Sequence, residues 1–358
     1  MGGLVTVTDL RVVHAMTNVD PVTMSGRALQ AGAVTSIGSL PHRDADAAAA
    51  FVLRHHPLLP AAPQLPRRSP LEGMIAQAAR GIPGVEVLPS GALRVDFDAL
   101  DPGASTTPSF NGASHGGLLA FLAAASGRTE PVKLQLTGPI TLGLALADAG
   151  VPPRLAFSIA AAAVRAEGAA LVELARRRLP DAPLLVFLDE PGLVRAADHA
   201  LPIESEAAVD VLSSALAAFE NEAVTGVHCC GDTDWRLVTA AGPTVLSLPV
   251  DLASVPRSAA VLNGHLDRGG WIAWGVVPTD EPLGADADRL WRRLGSVWSE
   301  LAQSGCDPVQ LRTQALVTPA CGLAGHGVSQ AALALGLASR VATRVTDQAV
   351  AARLSAGA

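Results

Sequence analysis

Short apolar runs alternate with helical segments along most of this 358-residue chain, and this alternation predicts an α/β fold. The runs are apolar at successive positions, not at every second one, which is typical of parallel strands covered on both faces. Eight such runs favour a (β/α)8 TIM barrel over a doubly wound sheet. Polar residues follow most of the runs, at the end of the strands where such barrels carry their active sites.

Each predicted strand is an aliphatic run that ends at a turn signal. The first, residues 34–37, ends at Gly38-Ser39, and the second, residues 58–62, ends at Pro63-Gln64. The other six are predicted at 132–136, 184–188, 223–227, 245–248, 271–277 and 315–317. Residues 85–88 and 92–97 flank a Pro-Ser-Gly turn, so a small β-hairpin insertion is expected over 85–97, after the second unit.

The helices are predicted from their caps and from the spacing of Ala and Leu. Asp44 caps a helix that runs to residue 54, and Pro70 opens one that runs to residue 80. Further helices are expected at 117–125, 153–178, 204–221, 233–240, 259–268 and 285–304, with two closing helices in 329–358. Residues 1–30 are expected to form a poorly ordered extension, which leaves 31–358 as a single catalytic barrel domain.

Composition and charge exclude several classes of partner. The net charge is −7 and no basic stripe is present, so neither nucleic acid nor an anionic membrane is an expected partner. The most apolar windows are broken by Arg165 and Arg340, short of the roughly 18 residues that a membrane span needs. No signal-peptide pattern is seen, and four cysteines in so long a chain are not a disulfide framework. A cytoplasmic location is therefore expected.

A histidine and two cysteines carry the strongest chemical signal. His228 and Cys230 lie two apart just past a predicted strand, so their side chains point the same way. Cys321 follows the last predicted strand, and a barrel brings the ends of its strands to one face. Imidazole and thiolate are ligands suited to zinc, so the three predict a metal site, with burial for structural reasons as the alternative.

The remaining cysteines and one acidic residue are assigned by position. Cys229 points away from its two neighbours and is expected in the core, and Cys306 is expected to be structural. Asp251 follows the sixth predicted strand and is either a further metal ligand or a helix cap or ion-pair partner. The single lysine, Lys133, does not by itself indicate a function.

Five segments occur in an order that resembles a known family. They are Thr35-Ser36-Ile37-Gly38-Ser39-Leu40-Pro41, Leu136-Thr137-Gly138-Pro139-Ile140-Thr141, Asp189-Glu190-Pro191, His228-x-Cys230 and Pro319-Ala320-Cys321-Gly322-Leu323. Over about residues 31–340 the chain resembles the catalytic domain of cobalamin-independent methionine synthase. The wider group includes uroporphyrinogen decarboxylase and zinc-dependent thiol methyltransferases.

The resemblance implies a zinc enzyme that alkylates a thiol. It implies His228, Cys230 and Cys321 as ligands of Zn²⁺, with homocysteine or a similar thiol activated as a metal-bound thiolate and methylated to methionine. It further implies that Ile37 and Ser39 hold the amino-acid part of homocysteine and that Asp189, or Glu190 beside it, binds the ammonium group as a catalytic residue.

The chain departs from the family pattern in four respects. Gln64 is expected to help bind the substrate, and it falls near the position at which the family has a carboxylate with that role. The family's fourth metal ligand, a glutamate, is absent from 246–251, where Asp251 or water is the substitute. The turn at 275–280 lacks the family's acid histidine, and the synthase's N-terminal half is not seen. The expected methyl donor is therefore a corrinoid or another small donor and not polyglutamyl folate.

Two other functions stay open at the level of sequence. One is a zinc enzyme that alkylates a different thiol with another electrophile, such as an epoxide. The other is a metal-free member of the group, either a decarboxylase-like enzyme or a binding protein. A decarboxylase for a tetrapyrrole with many carboxylates would need an arginine cluster, for which Arg43, Arg67 and Arg68 are the candidates.

Overall fold

The computed structural model describes residues 29–356, except 102, 104 and 285. Most of the predicted extension, residues 1–28, lies outside the described residues. Leu29 is buried and packs with residues of the barrel interior. Leu29, which lies two residues before the predicted boundary at 31, therefore contributes to the core.

The strands form two sheets within the described residues. They are β1 (Val85–Val87), β2 (Leu93–Val95), β3 (Val132–Thr137), β4 (Leu184–Asp189), β5 (Val224–His228), β6 (Val245–Pro249), β7 (Trp271–Val277) and β8 (Ala315–Pro319). Strands β3 to β8 pair in parallel in sequence order. Strands β1 and β2 pair antiparallel, with Val85 opposite Val95, which confirms the hairpin insertion.

The first two predicted strands close the barrel without forming regular ladders. Val34 bridges Val317 of β8, Ser39 bridges Gln64, and Ala61 bridges Lys133 of β3, all in parallel. Prolines at 57, 60, 63 and 66 remove backbone donors from the second segment, which explains the broken ladder. Because these bridges join β8 to β3, the six-stranded sheet becomes a ring, and the predicted TIM barrel is confirmed.

The helices surround the strands. In the described residues they are α1 (Ala45–His55), α2 (Met74–Ala78), α3 (Gly116–Ala124), α4 (Pro139–Asp148), α5 (Pro153–Arg178), α6 (Val194–Ala197), α7 (Ser205–Ala217), α8 (Trp235–Ala240), α9 (Ser254–Arg257), α10 (Ala259–Asp267), α11 (Ala287–Gln303), α12 (Pro308–Thr313) and α13 (Val328–Ala356). Asp44 accepts a hydrogen bond from the backbone of Ala47 and caps α1 as expected.

Two helix predictions were wrong in detail. The helix expected from Pro70 to residue 80 is a 3-10 turn, Pro70–Glu72, and the short helix α2, with extended backbone at Gly73 between them. The two closing helices are a single long helix, α13. No proline interrupts residues 328–356, and the one glycine inside that span, Gly336, is tolerated at a cost of about 1 kcal/mol.

The core has an inner and an outer layer. Leu185, Phe187, Val245, Ala273 and Leu316 form a buried cluster inside the barrel. The alternate strand positions pack outward against the helices, which explains why the strands are apolar at successive positions. One helix, α5, is long and apolar enough to cross a membrane by length and composition, and 61% of its apolar window is buried inside the protein.

Candidate metal and substrate site

His228, Cys230 and Cys321 meet at the carboxyl end of the barrel. His228 is the last residue of β5, and Cys230 follows it by two positions. Cys321 follows the end of β8 by two positions. One ligand atom from each side chain lies within 4.8 Å of the other two. The two motifs, nearly a hundred residues apart in sequence, therefore form one cluster.

The imidazole of His228 is oriented by its neighbour on β6. Its Nδ1 atom lies 3.0 Å from the hydroxyl of Ser247, which is directly opposite it in the β5–β6 register. Among the residues that the structure describes, its buried Nε2 atom has no hydrogen-bond partner. A buried nitrogen without a partner is costly, and a metal ion would satisfy it. With two cysteine sulfurs beside it, this donor set fits Zn²⁺.

The two thiols interact with each other. A hydrogen bond from Cys321 lowers the pKa of Cys230, while the same bond and burial raise the pKa of Cys321 to about 12. The two sulfurs therefore lie close enough to interact, and they would repel each other as thiolates. A divalent cation removes this conflict because it binds both sulfurs in their deprotonated form.

The other two cysteines lie in the core, as expected. Cys229 is fully buried within the outer hydrophobic layer, and its sulfur donates to the carbonyl of Gly231 at 3.5 Å. Burial raises its pKa to about 12. Cys306 is buried and its sulfur donates to the carbonyl of Ala259 at 3.3 Å. Both positions are structural.

Asp251 does not join the cluster. Its carboxylate forms an ion pair with Arg293, whose guanidinium also lies 3.7 Å from Glu281. The group within mutual ligand distance holds one histidine and two cysteines and, among the described residues, no carboxylate. Asp251 is therefore an ion-pair partner, which was the expected alternative to a metal ligand. A metal held by three side chains would keep one position open for another ligand.

Asp189 lies beside His228 with an unused acceptor. The parallel register places Thr137, Asp189 and His228 side by side at the ends of β3, β4 and β5. The Oδ1 atom of Asp189 is buried and has no hydrogen-bond partner. Burial raises the pKa of this carboxyl to about 7, against the opposing effect of the positive charge of Lys133. Asp189 can therefore accept a hydrogen bond from a bound donor such as an ammonium group.

The side chain of Glu190 contacts the start of helix α4. Its carboxylate accepts hydrogen bonds from the backbone of Ile140 at 2.8 Å and of Thr141 at 2.7 Å, and from the Thr141 hydroxyl at 2.6 Å. These groups form the first turn of α4, whose exposed amide donors and dipole favour a carboxylate. Because Glu190 is fully buried and its oxygens are engaged, its placement favours a helix-capping role over contact with a substrate.

Of the predicted substrate residues in the first two segments, Ser39 lies beside the loop of Cys321. Ser39 accepts a backbone hydrogen bond from Leu323 at 2.9 Å, so it adjoins the loop that carries Cys321. A Cβ atom on Gly322 would lie 2.0 Å from the Ser39 hydroxyl. The carbonyl of Ile37 accepts a hydrogen bond from Lys133 at 2.7 Å. Gln64 instead donates to Gln77 at 2.5 Å, which holds its amide group in a side-chain network.

Sequence reasoning missed Ser247, Lys133 and Gln135. Ser247 carried a weak signal, since it is the only polar residue of β6. Lys133 and Gln135 alternate on β3 with Leu134 and Leu136, so they share a face with Thr137. A single buried lysine in an otherwise arginine-only chain was the available signal, but its partners are brought to it only by the closed barrel.

Comparisons with known proteins give a similarity of fold. No model of a known protein family matches the chain, and no curated protein matches it. A solved B12-independent methionine synthase from Shewanella sp. W3-18-1, in complex with selenomethionine, is 14% identical with a TM-score of 0.57, over 90% of this chain and 99% of that one. A putative vitamin-B12-independent methionine synthase from Listeria monocytogenes is 13% identical with a TM-score of 0.50, over 84% and 86%. The chain therefore has the barrel fold seen in B12-independent methionine synthase structures.

Proposed function

We propose that this chain is a zinc-dependent S-methyltransferase that acts on homocysteine, or on a similar small thiol, and gives methionine or the matching thioether. The cluster of His228, Cys230 and Cys321 at the carboxyl end of the barrel is the observation that carries the proposal. The fold similarity to B12-independent methionine synthases supports the class of enzyme. A cytoplasmic location remains part of the proposal.

His228, Cys230 and Cys321 would hold the metal. Zn²⁺ bound there supplies a positive charge that keeps a small thiol deprotonated at neutral pH, where a free thiol is mostly protonated and unreactive. Ser247 fixes the plane of the His228 ring, so the ligand atom Nε2 faces the cluster. Such orientation by a neighbouring polar group is typical of metal-binding histidines.

The substrate's amino-acid end would bind beside the cluster. Asp189 has a buried oxygen without a partner, which can accept from an ammonium group. The Ser39 hydroxyl can donate to the carboxylate, and the Ile37 carbonyl can accept from the ammonium group. In the reaction a sulfur–carbon bond forms, the bond from the methyl group to its donor breaks, and the thiol proton leaves to solvent.

The proposal is tested by product analysis with a panel of methyl donors. Zinc-loaded protein is incubated with homocysteine and either a methylcorrinoid, a monoglutamyl or a polyglutamyl methyl-folate, and methionine is measured by mass spectrometry. Methionine from the corrinoid or another small donor, lost in Cys321→Ser, is expected. No product from any donor, together with no binding of homocysteine to the zinc-loaded protein, would contradict the proposal.

An epoxide added to the panel tests for the alternative thiol transferase. An S-alkylated product formed only from an epoxide would indicate the other type of thiol transferase. Two of the three arginines named for the decarboxylase alternative have other partners: Arg68 pairs with the buried Glu72 and donates to the carbonyl of Gly112, and Arg67 donates to the carbonyl of Gly325. These two guanidinium groups are engaged in holding loops.

A further inference from the structure

Lys133 is a buried cation that the proposed chemistry does not use. It is the only lysine of the chain, and its side chain lies inside the barrel with 1% of the residue exposed. Burying an ammonium group is strongly unfavourable unless its donors and its charge are matched. The contacts that offset this cost therefore indicate what the residue does.

Several neighbouring groups interact favourably with the ammonium group of Lys133. Nζ donates to the carbonyl of Ile37 at 2.7 Å and to the side-chain oxygen of Gln135 at 3.3 Å. It also lies 4.7 Å from the centre of the Phe187 ring, a favourable cation–π distance. The carboxylate of Asp189 on the next strand attracts the same charge. A compact ammonium with three donors suits this site better than a planar guanidinium.

These contacts add to the few backbone hydrogen bonds of one segment, in which Gly38 accepts from the backbone of Gln64 at 3.0 Å and Ser39 from that of Leu323 at 2.9 Å. The segment Ile37-Gly38-Ser39 belongs to the first strand position, which pairs through isolated bridges only. Gly38 has a φ of +134°, and a Cβ atom there would lie 2.4 Å from the amide nitrogen of Gln135, so backbone and side chain are in tight contact. Gln135 also donates to the carbonyl of Ala62 at 2.6 Å.

Two inward side chains of β3 thus replace the missing ladder. Lys133 fixes the first segment, Gln135 fixes the second, and the two are hydrogen bonded to each other. Ser39 follows the fixed carbonyl by two residues and adjoins the Cys321 loop. The Lys133 ammonium group is therefore one of the groups that hold the proposed substrate residues in position.

We propose that Lys133 is a positioning residue of the thiol site, whose ammonium group fixes the Ile37 carbonyl and with it the Ile37–Ser39 segment that receives the amino-acid end of the substrate. This inference rests on the proposed function. A carbonyl oxygen has two acceptor positions. Lys133 takes one, which orients the other for the ammonium group of a bound amino acid.

The test measures binding and does not depend on the methyl donor. L-Methionine, the proposed product, is titrated by calorimetry into zinc-loaded wild-type protein and into Lys133→Met, in which the side chain stays unbranched, is one atom shorter and loses its charge. The expected result is a Kd at least tenfold higher in Lys133→Met at unchanged zinc content, because the metal cluster lies on β5 and β8. A structural role alone would lower the thermal midpoint of unfolding without this change in Kd.

Arg128→Met is the matched control. Arg128 donates to the backbone carbonyls of Pro57 and Glu130 just before β3, at the opposite end of the barrel. Its loss is expected to lower stability while the zinc content and the Kd of L-methionine stay within twofold of wild type. Lys133→Arg, which keeps the charge but not the compact ammonium, is expected to bind L-methionine more weakly than wild type.

The outcomes distinguish a failure of the proposed role of Lys133 from a failure of the proposed function. If folded, zinc-loaded Lys133→Met binds L-methionine within twofold of wild type, the role of Lys133 is wrong. If Lys133→Met does not fold, Lys133→Arg decides, and wild-type affinity in that variant likewise overturns the inference. If wild-type protein with zinc binds neither L-methionine nor homocysteine, the proposed function itself fails.

Discussion

At the scale of single residues, the site combines three candidate metal ligands, and one of them, His228, has a partner that orients it. The Nε2 atom of His228 is buried without a partner, while its Nδ1 atom is held by Ser247. Asp251, the other acidic candidate, is engaged by Arg293. The geometry thus assigns Ser247 to the support of the metal ligand and Asp251 to the barrel rim.

Ser247→Ala should therefore weaken zinc binding, and Asp251→Asn should not. Loss of a hydrogen bond that orients a ligand histidine typically lowers metal affinity roughly 10- to 100-fold. Competition with a chromogenic chelator would measure both affinities, with Asp251→Asn expected within twofold of wild type. If Asp251→Asn released zinc instead, Asp251 would be the fourth ligand and the open position would be lost.

At the scale of elements, the mouth of the barrel depends on the close approach of three strands. A Cβ atom on Gly275 of β7 would lie 2.8 Å from the Cα of Ala320 and 3.0 Å from the Cα of Pro249. Both neighbours are backbone atoms, which cannot rotate away. This contact sets the distance from β7 to the residue immediately before Cys321.

Gly275→Ala is expected to destabilise the protein by about 1–3 kcal/mol, since the overpacked strands must separate. It should also weaken zinc binding, because Cys321 moves with Ala320. Gly295→Ala is the control, since Gly295 lies within α11 and has nothing within 4 Å of a built Cβ. That change should stabilise the helix by roughly 1 kcal/mol. Urea unfolding of both variants checks the signs, and a neutral Gly275→Ala would contradict the account.

The sequence was sufficient for the features that depend on local periodicity. His228 and Cys230 could be paired because side chains two apart share a face, and Cys321 because strand ends of a barrel meet. The role of Glu190 could not be read, since its partners are the backbone amides of Ile140 and Thr141, about fifty residues earlier. The ion pair of Asp251 with Arg293 is equally non-local. Such contacts exist only after the barrel closes.

At the scale of the whole molecule, the closed barrel excludes water from several carboxyl groups. Glu167, on the long helix α5, is buried with its Oε2 atom unpartnered, and burial raises its pKa to about 7 from an ordinary value of 4.5. The folded state therefore binds this proton more tightly than the unfolded state does. The resulting stability is fully present below about pH 4.5 and is lost as the pH rises through 7.

Glu167→Gln removes this dependence. The variant should be more stable than wild type above pH 7, by on the order of 3 kcal/mol, and the difference should shrink toward pH 4.5. The difference in unfolding free energy between variant and wild type is taken at each pH. This subtraction cancels the contributions of Asp189 and Glu190, whose pKa values are also raised by burial. Glu173→Gln, at an exposed position on the same helix, is the control, and its loss of a surface ion pair should change stability by less than about 1 kcal/mol. A flat difference between Glu167→Gln and wild type would refute the prediction.

Metal analysis of the purified protein tests whether His228, Cys230 and Cys321 bind zinc. Wild-type chain and Cys321→Ser are prepared without chelator and their zinc content is measured by mass spectrometry. The account predicts close to one zinc per wild-type chain and a strongly reduced content in the variant, because His228 and Cys230 alone make a weak site. No zinc in the wild-type protein, and none taken up on addition, would contradict the zinc mechanism and leave the similarity as one of fold alone.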